Sequence, residues 1–296
     1  MGLTATDLDL LLELRAQNVP FIRIATIGSL SLYLHPKQLD RLKQRIPDSQ
    51  AIAGYIWGQT ADDIIKAVTG ASEVVSIDVS DYQGATIVHD MNTPISEMRP
   101  DLAGSFDLII DGGTLEHVFN FPVAISNLMF LVRKGGYILT ANPANNLCGH
   151  GFYQFSPELM HRVYSEENGF RIHQVILTQT RHLSVEMDPR PKSYSVADPV
   201  SLGRRILLRN HKPVMIRALA EKISDLPGTG LRVQQSDYVV AWSGVVLPKS
   251  QKTFKTVLRA VFHMLPMTMQ SRMTDIVSRP TLYNGKVMRR WRGPLS

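Results

Sequence analysis

Short apolar runs alternate with stretches of helical spacing along most of the chain. Phe21-Ile22-Arg23-Ile24-Ala25-Thr26-Ile27 predicts a first strand, stopped by Gly28. Leu39 and Leu42 predict a helix over residues 36–46. Residues 49–58 are irregular and rich in small side chains, and a second helix follows over 61–68. Val74-Val75-Ser76-Ile77 predicts a strand ended by Asp78, and Ala85 to His89 a strand ended by Asp90. Phe106 to Ile110 predicts a fourth, ended by Asp111. A helix over 123–132 runs into Lys134-Gly135-Gly136, read as a C-cap and turn. A strand over 136–140, a helix over 157–164 capped by Ser156 and a strand over 170–177 complete the clear pattern. This alternation predicts βα units around a doubly wound, mostly parallel sheet.

The remaining segments read less directly. Val214 to Leu219 fits strand or helix, because a short apolar run has no decisive period. Asp237 to Trp242 predicts a strand. Residues 181–211 are polar and rich in Arg and Pro, which predicts a loop or lid insertion. At the start, Thr4 or Thr6 caps a helix within 1–19 that carries Leu8, Leu11 and Leu12 on one face. Met1-Gly2 with Thr6 also matches the loose N-myristoylation pattern, but the capped helix is the expected use of these residues.

Composition changes the picture in two places. The single cysteine, Cys148, excludes an internal disulfide, and the first residues lack a basic, apolar leader, so a reducing, cytoplasmic setting is expected. The net charge of +6 is concentrated at one end. Residues 249–296 hold ten Lys/Arg against Asp275 alone, a local +9, which leaves −3 for residues 1–248. The basicity belongs to a tail, so no nucleic-acid partner is expected for the main domain. Val257, Leu258, Val261, Phe262 and Leu265 stand at helical spacing among Lys252, Lys255 and Arg259. The tail is expected to be a basic amphipathic helix, packed on the main domain or across a homodimer rather than on a membrane surface.

In an open α/β sheet, ligands bind outside the carboxyl ends of the strands. Here those ends carry Gly28-Ser29, Asp78, Asp90 and Asp111-Gly112-Gly113. A single acid there is most simply a helix cap. A series of them suits a ribose and an adenine amino group, with glycines admitting a ligand to the backbone. Asp-Gly-Gly-Thr also fits a phosphate loop of actin-like kinases, but the helix behind it and the missing second glycine loop argue against that. A nicotinamide dehydrogenase needs a G-x-G-x-x-G that is missing here. No H-x-x-x-H or C-x-x-C spacing points to a metal at His89, His117 or His150, so no metal is expected.

FDLIIDGGTLEHVFNFPVAISNLMFLVRKGGYILTANP, residues 106–143, resembles the fourth strand, loop, helix and fifth strand of class I (Rossmann-like) S-adenosylmethionine-dependent methyltransferases. VVSIDVSDYQGATIVHDMN, residues 74–92, resembles the family's second and third strands with their ribose and adenine acids. NNLCGHGFYQFSPELMHRVYSEENGF, residues 145–170, resembles a subgroup of bacterial methyltransferase-like proteins met near glycan or natural-product genes. The resemblance covers residues 20–180. It implies S-adenosylmethionine as cofactor, held by Gly28, Ser29, Asp78, Asp90, Asp111, Gly112 and Gly113. The first loop departs from the family's Gly-x-Gly-x-Gly: only Gly28 remains, with Ser29 and Ser31 as neighbours, and the preceding acid is missing.

Three segments are therefore expected: an N-terminal helix over 1–19, a methyltransferase-like domain over 20–248 and a helical tail over 249–296. His150 and His117 are the candidate acid/base residues, because imidazole titrates near ~6.5. Asn146, Tyr153 and Gln154 are candidate substrate contacts, in a loop dense with amides. The expected reaction is methyl transfer to a small-molecule or glycan-type acceptor, on oxygen. The competing expectation is a binding or scaffold protein that keeps the fold without catalysis, and residues 28–32 discriminate between the two.

Overall fold

The computed structural model describes residues 2–47, 49–181, 185–202, 206, 210–225, 230–238, 269 and 287–295. The chain begins with β1 (Gly2–Thr4), α1 (Ala5–Ala16), β2 (Arg23–Ile27), β3 (Ser31–Tyr33), α2 (Pro36–Lys43) and α3 (Asp62–Thr69). It continues with β4 (Glu73–Asp78), β5 (Ile87–Val88), α4 (Ile95–Met98), β6 (Phe106–Asp111) and α5 (Phe121–Leu131). Then come β7 (Val132–Asn145), α6 (Pro157–Val163), β8 (Phe170–Gln179), β9 (Lys192–Val196), α7 (Pro199–Leu202), β10 (Val214–Lys222) and β11 (Met288–Trp291). Among the described residues no helix is long and apolar enough to cross a membrane.

The main sheet runs β11-β9-β8-β10-β7-β6-β2-β4-β5. The strands from β5 to β7 are parallel; β10 is antiparallel to both β7 and β8. The chain moves outward from β2 to β4 and β5, then returns to β6 and moves the other way. The order therefore reverses between β2 and β6, where a crevice opens in sheets of this kind. Successive side chains of β6 alternate between the two faces. Ile109 enters one core with α5 and α6, while Leu108 and Ile110 enter the other with α1, α2 and α3.

α1 is buried on nearly every side, which a single apolar stripe did not predict. Leu8, Leu10, Leu11 and Leu14 lie in the core, and so do Asp7 and Asp9. A charge at such a depth needs partners. Asp7 has Arg217 of β10, whose Nη2 donates to Asp7 Oδ2 at 3.1 Å and to Thr4 Oγ1 at 3.0 Å. Thr4 N and Oγ1 donate to the same Asp7 oxygen at 2.8 Å. The expected cap at Thr4 is present, and it doubles as the anchor of α1 on the sheet.

Three sequence expectations are corrected. The 181–211 segment is not a plain loop: β9 and α7 lie within it, and β9 pairs with β8. Its Arg and Pro residues hid the alternation of Lys192-Ser193-Tyr194-Ser195-Val196. Lys134-Gly135-Gly136 does not cap a helix. α5 stops at Leu131 and β7 begins at once, and Gly136 lies so close to β6 that an added Cβ would stand 2.8 Å from Asp107 O. The expected helical tail falls mostly outside the described residues, but its last part, Met288–Trp291, is a strand against β9. Met288 and Trp291 are buried there and Leu295 follows into the core beside α1, so this segment packs on the same body as residues 20–248. The strand expected over 237–242 lies outside the described residues from 239 on.

Candidate functional site

β6 ends in Asp111, and the chain then turns through Gly112-Gly113-Thr114 into a short 3-10 turn, Leu115–His117. Asp111 is fully buried. Its Oδ1 accepts from Thr114 N at 2.7 Å, which holds the turn, and its Oδ2 accepts from Asn142 Nδ2 at 2.6 Å. The same Asn142 nitrogen donates to Glu116 Oε2 at 3.0 Å. Asn142 on β7 thus clamps two buried carboxylates side by side. Burial pushes Asp111 up, and the charge of Glu116 adds to that. Burial also raises Glu116, against the bond from Asn142.

The clamp aims the second oxygen of Glu116. Oε1 is buried and, among the described residues, has no hydrogen-bond partner. His150 Nε2 stands 3.5 Å from it and His117 Nε2 4.0 Å. The two imidazole rings meet edge to face, 5.1 Å between centroids, and both remain substantially exposed. Burial lowers His117 below the usual imidazole range, and the neighbouring His150 adds to this. His150 arrives from the loop after β7, which lies on the Glu116 turn. Phe152 N donates to Glu116 O at 2.7 Å, and Gly151 (φ +76°) comes so near that a Cβ would sit 2.7 Å from that oxygen. Phe119 and Phe152, each two residues beyond one of the histidines and both exposed, pack edge to face with 6.0 Å between ring centroids.

The other expected contacts separate into three groups. Asp78 and Asp90 end β4 and follow β5, on one side of the crevice. Asp78 Oδ1 accepts from Val79 N at 2.7 Å, and Asp90 Oδ1 accepts from Asn92 N at 2.9 Å. Gly28 makes the turn after β2 at φ +80°, with its N–H on Ile77 O at 2.7 Å and half-buried Ser29 following. Gly112 and Gly113 are buried under the protein itself. Gly2 N donates to Gly112 O at 3.0 Å, and a Cβ on Gly112 would meet Leu30 at 2.9 Å and Leu3 at 3.4 Å. Leu3 comes from β1, and Leu30 stands just before β3, with which β1 pairs in parallel.

The amides expected to touch a substrate are spent on the loop. Asn146 Nδ2 donates to Asn210 Oδ1 at 2.6 Å and to Lys212 O at 2.8 Å. Gln154 Oε1 accepts from Leu147 N at 3.0 Å, and Tyr153 OH donates to Phe119 O at 2.6 Å. They shape the shelf that presents His150. His89 is buried and turned to Thr93 O, apart from the other two histidines. In the sequence His117 and His150 belong together by residue type alone; their convergence on Glu116 is not legible there, because the clamp by Asn142 joins residues 26 positions apart.

A doubly wound sheet with acids at the carboxyl ends beside its switch point defines a Rossmann-like α/β fold. No protein-family model and no curated protein matches the chain. Among solved structures it is similar to a SAM-dependent methyltransferase, possible histamine N-methyltransferase, from Thermotoga maritima. That match has 13% identity over 74% of this chain and 90% of that one, with a TM-score of 0.39. It is also similar to the N-methyltransferase NodS from Bradyrhizobium japonicum, at 13% identity over 74% and 96% of the two chains and a TM-score of 0.40. The YcgJ protein from a Bacillus is similar at 10% identity over 73% and 99%, also with a TM-score of 0.40.

Proposed function

We propose that the protein transfers a methyl group from S-adenosylmethionine to a small-molecule or glycan-type acceptor, on oxygen. The observation that carries this reading is the placement of Asp78 and Asp90 at the carboxyl ends of β4 and β5, beside the Gly28 turn. A ribose needs a carboxylate that accepts from both hydroxyls, and Asp78 has that chemistry. Asp90 suits an adenine amino group, and Gly28 with Ser29 suits the methionine end.

Methyl transfer asks for alignment of acceptor oxygen, methyl carbon and sulfur, and for exclusion of water. S-adenosylmethionine would supply the methyl group: the acceptor oxygen would bond to its methyl carbon as the carbon–sulfur bond breaks with the electron pair going to sulfur, and the hydroxyl proton would pass to His150 or His117. His150 and His117 line the acceptor side of the edge and act on that hydroxyl, with Glu116 behind them. Asp111 and Asn142 position Glu116. Phe119 and Phe152 offer the acceptor an apolar wall, a common companion of sugar rings and other amphipathic ligands.

One observation favours a second reading, a methyltransferase-like binding protein without catalysis. Leu3 and Leu30 cover Gly112, where a cofactor's methionine end would approach the backbone. Calorimetric titration with S-adenosylhomocysteine separates the two. The first reading expects saturable binding that weakens about tenfold or more in Asp78→Ala, the cost of charge-assisted hydrogen bonds of roughly 1.5–3 kcal/mol. No binding at millimolar ligand favours the second.

A further inference from the structure

We propose that Glu116, His117 and His150 form a binding site for one divalent transition-metal ion, of which zinc is the representative. The three residues each offer one ligand atom, all within 4.8 Å of one another. Two imidazole nitrogens and one carboxylate oxygen are the donor set that such ions take in proteins. Bonds of ~2.1 Å at tetrahedral angles put ligand atoms roughly 3.4 Å apart. The His150–Glu116 separation of 3.5 Å already meets that, and the His117–Glu116 separation of 4.0 Å closes with a small swing of an exposed ring.

The state of Glu116 Oε1 points independently to a ligand. It is a carboxylate oxygen, buried, that faces two ring nitrogens at 3.5 and 4.0 Å and has no hydrogen-bond partner among the described residues. Buried polar atoms without a partner are rare because each costs free energy. A cation between the three residues satisfies it. The support that metal ligands need is in place as well: Glu116 Oε2 is fixed by Asn142, which is fixed in turn by Asp111. The Glu116 carbonyl holds the loop carrying His150 through Phe152 N. The exposed faces of both rings leave the remaining coordination positions open to water or to an acceptor. Sequence spacing gave no hint of this, because Glu116 and His117 are adjacent and His150 comes from another loop.

Binding of the ion is independent of the methyl-transfer reading, and only its consequence rests on that reading. With the ion bound, the ring nitrogens of His117 and His150 would be ligands rather than proton acceptors, and an acceptor hydroxyl on an open position of the ion would instead lose its proton to water more readily than a free one, leaving the oxygen ready for the methyl group.

The test uses the full-length protein, stripped with a chelator. Zn²⁺ is titrated against a chromogenic competitor, and Co²⁺ is followed by its visible absorption. One equivalent is expected, with a tetrahedral or five-coordinate Co²⁺ spectrum. His117→Ala and His150→Ala, both at exposed rings, should each weaken Zn²⁺ binding by about tenfold or more, the least expected when a ligand itself is lost. Glu116→Gln tests the buried ligand, and its thermal melt separates lost binding from lost fold. If wild type binds no Zn²⁺ below millimolar concentration, or binds it equally well in both histidine variants, the site is overturned. S-adenosylhomocysteine titration of the same samples reads the cofactor question separately, so either proposal can fail alone.

Discussion

Asp9 shows how much one residue can hide in a leucine-rich helix. It faces inward from α1, accepts a hydrogen bond from Leu295 N, and its other oxygen is buried with no hydrogen-bond partner among the described residues. Burial pushes its pKa up to about 7; Leu295 pulls the other way, and the charge of Glu13 adds to the rise. The folded protein therefore keeps a proton that the unfolded chain releases near ~3.9. By linkage, the stability this group contributes is greatest below about pH 4 and falls as pH rises toward 7. Asp9→Asn keeps an acceptor for Leu295 and removes the charge. It should flatten that slope and raise stability at pH 8 by on the order of 1 kcal/mol or more. Urea midpoints of both proteins at pH 5, 6, 7 and 8 measure it, and parallel curves would refute it.

At the scale of elements, α1 and β10 are joined by a buried ion pair rather than by leucines alone. Arg217 is 1% exposed and Asp7 fully buried. Every described polar atom of the pair has work: Arg217 Nη1 donates to Thr178 Oγ1 at 3.0 Å, and Thr4 completes the set. Removing one partner leaves the other charged and unpaired, at a cost of about 3–5 kcal/mol, whereas replacing both with apolar residues of similar volume costs far less. Arg217→Met should therefore lower the melting temperature more than the Asp7→Leu/Arg217→Met double variant does. Equal losses would mean that packing, not charge, joins the two elements.

At the scale of the whole molecule, the described end of the chain closes the fold. β11 adds to β9 at the edge of the sheet, Met288 enters one core, and Trp291 and Leu295 enter the other. Each such side chain contributes about 1.5–3 kcal/mol by burial. Deleting residues 287–296 should cost several kcal/mol, expose the edge of β9 and leave Asp9 without Leu295. A large fall in melting temperature, with association of the shortened chain, is the expected outcome. An unchanged, monodisperse protein would show that this segment adds nothing to the fold.

The sequence by itself determined the strands built around clusters of apolar residues. β2, β4, β6 and β8 fall within a few residues of their predicted bounds, since short clusters of apolar, β-branched residues have few other ways to leave water. The acids at strand ends were legible for the same reason, because a strand that stops in Asp places it at the carboxyl edge. Tertiary structure alone decided what depends on partners far apart in the chain. Arg217 reads as an ordinary interruption of an apolar run until Asp7 lies against it. Leu3 and Leu30 read as core until they meet over Gly112. Glu116, His117 and His150 become one site only because Asn142, from the next strand, turns the carboxylate toward the rings. Periodicity records which way a residue faces. It does not record which distant residue waits there, and at buried charges that partner sets the energy.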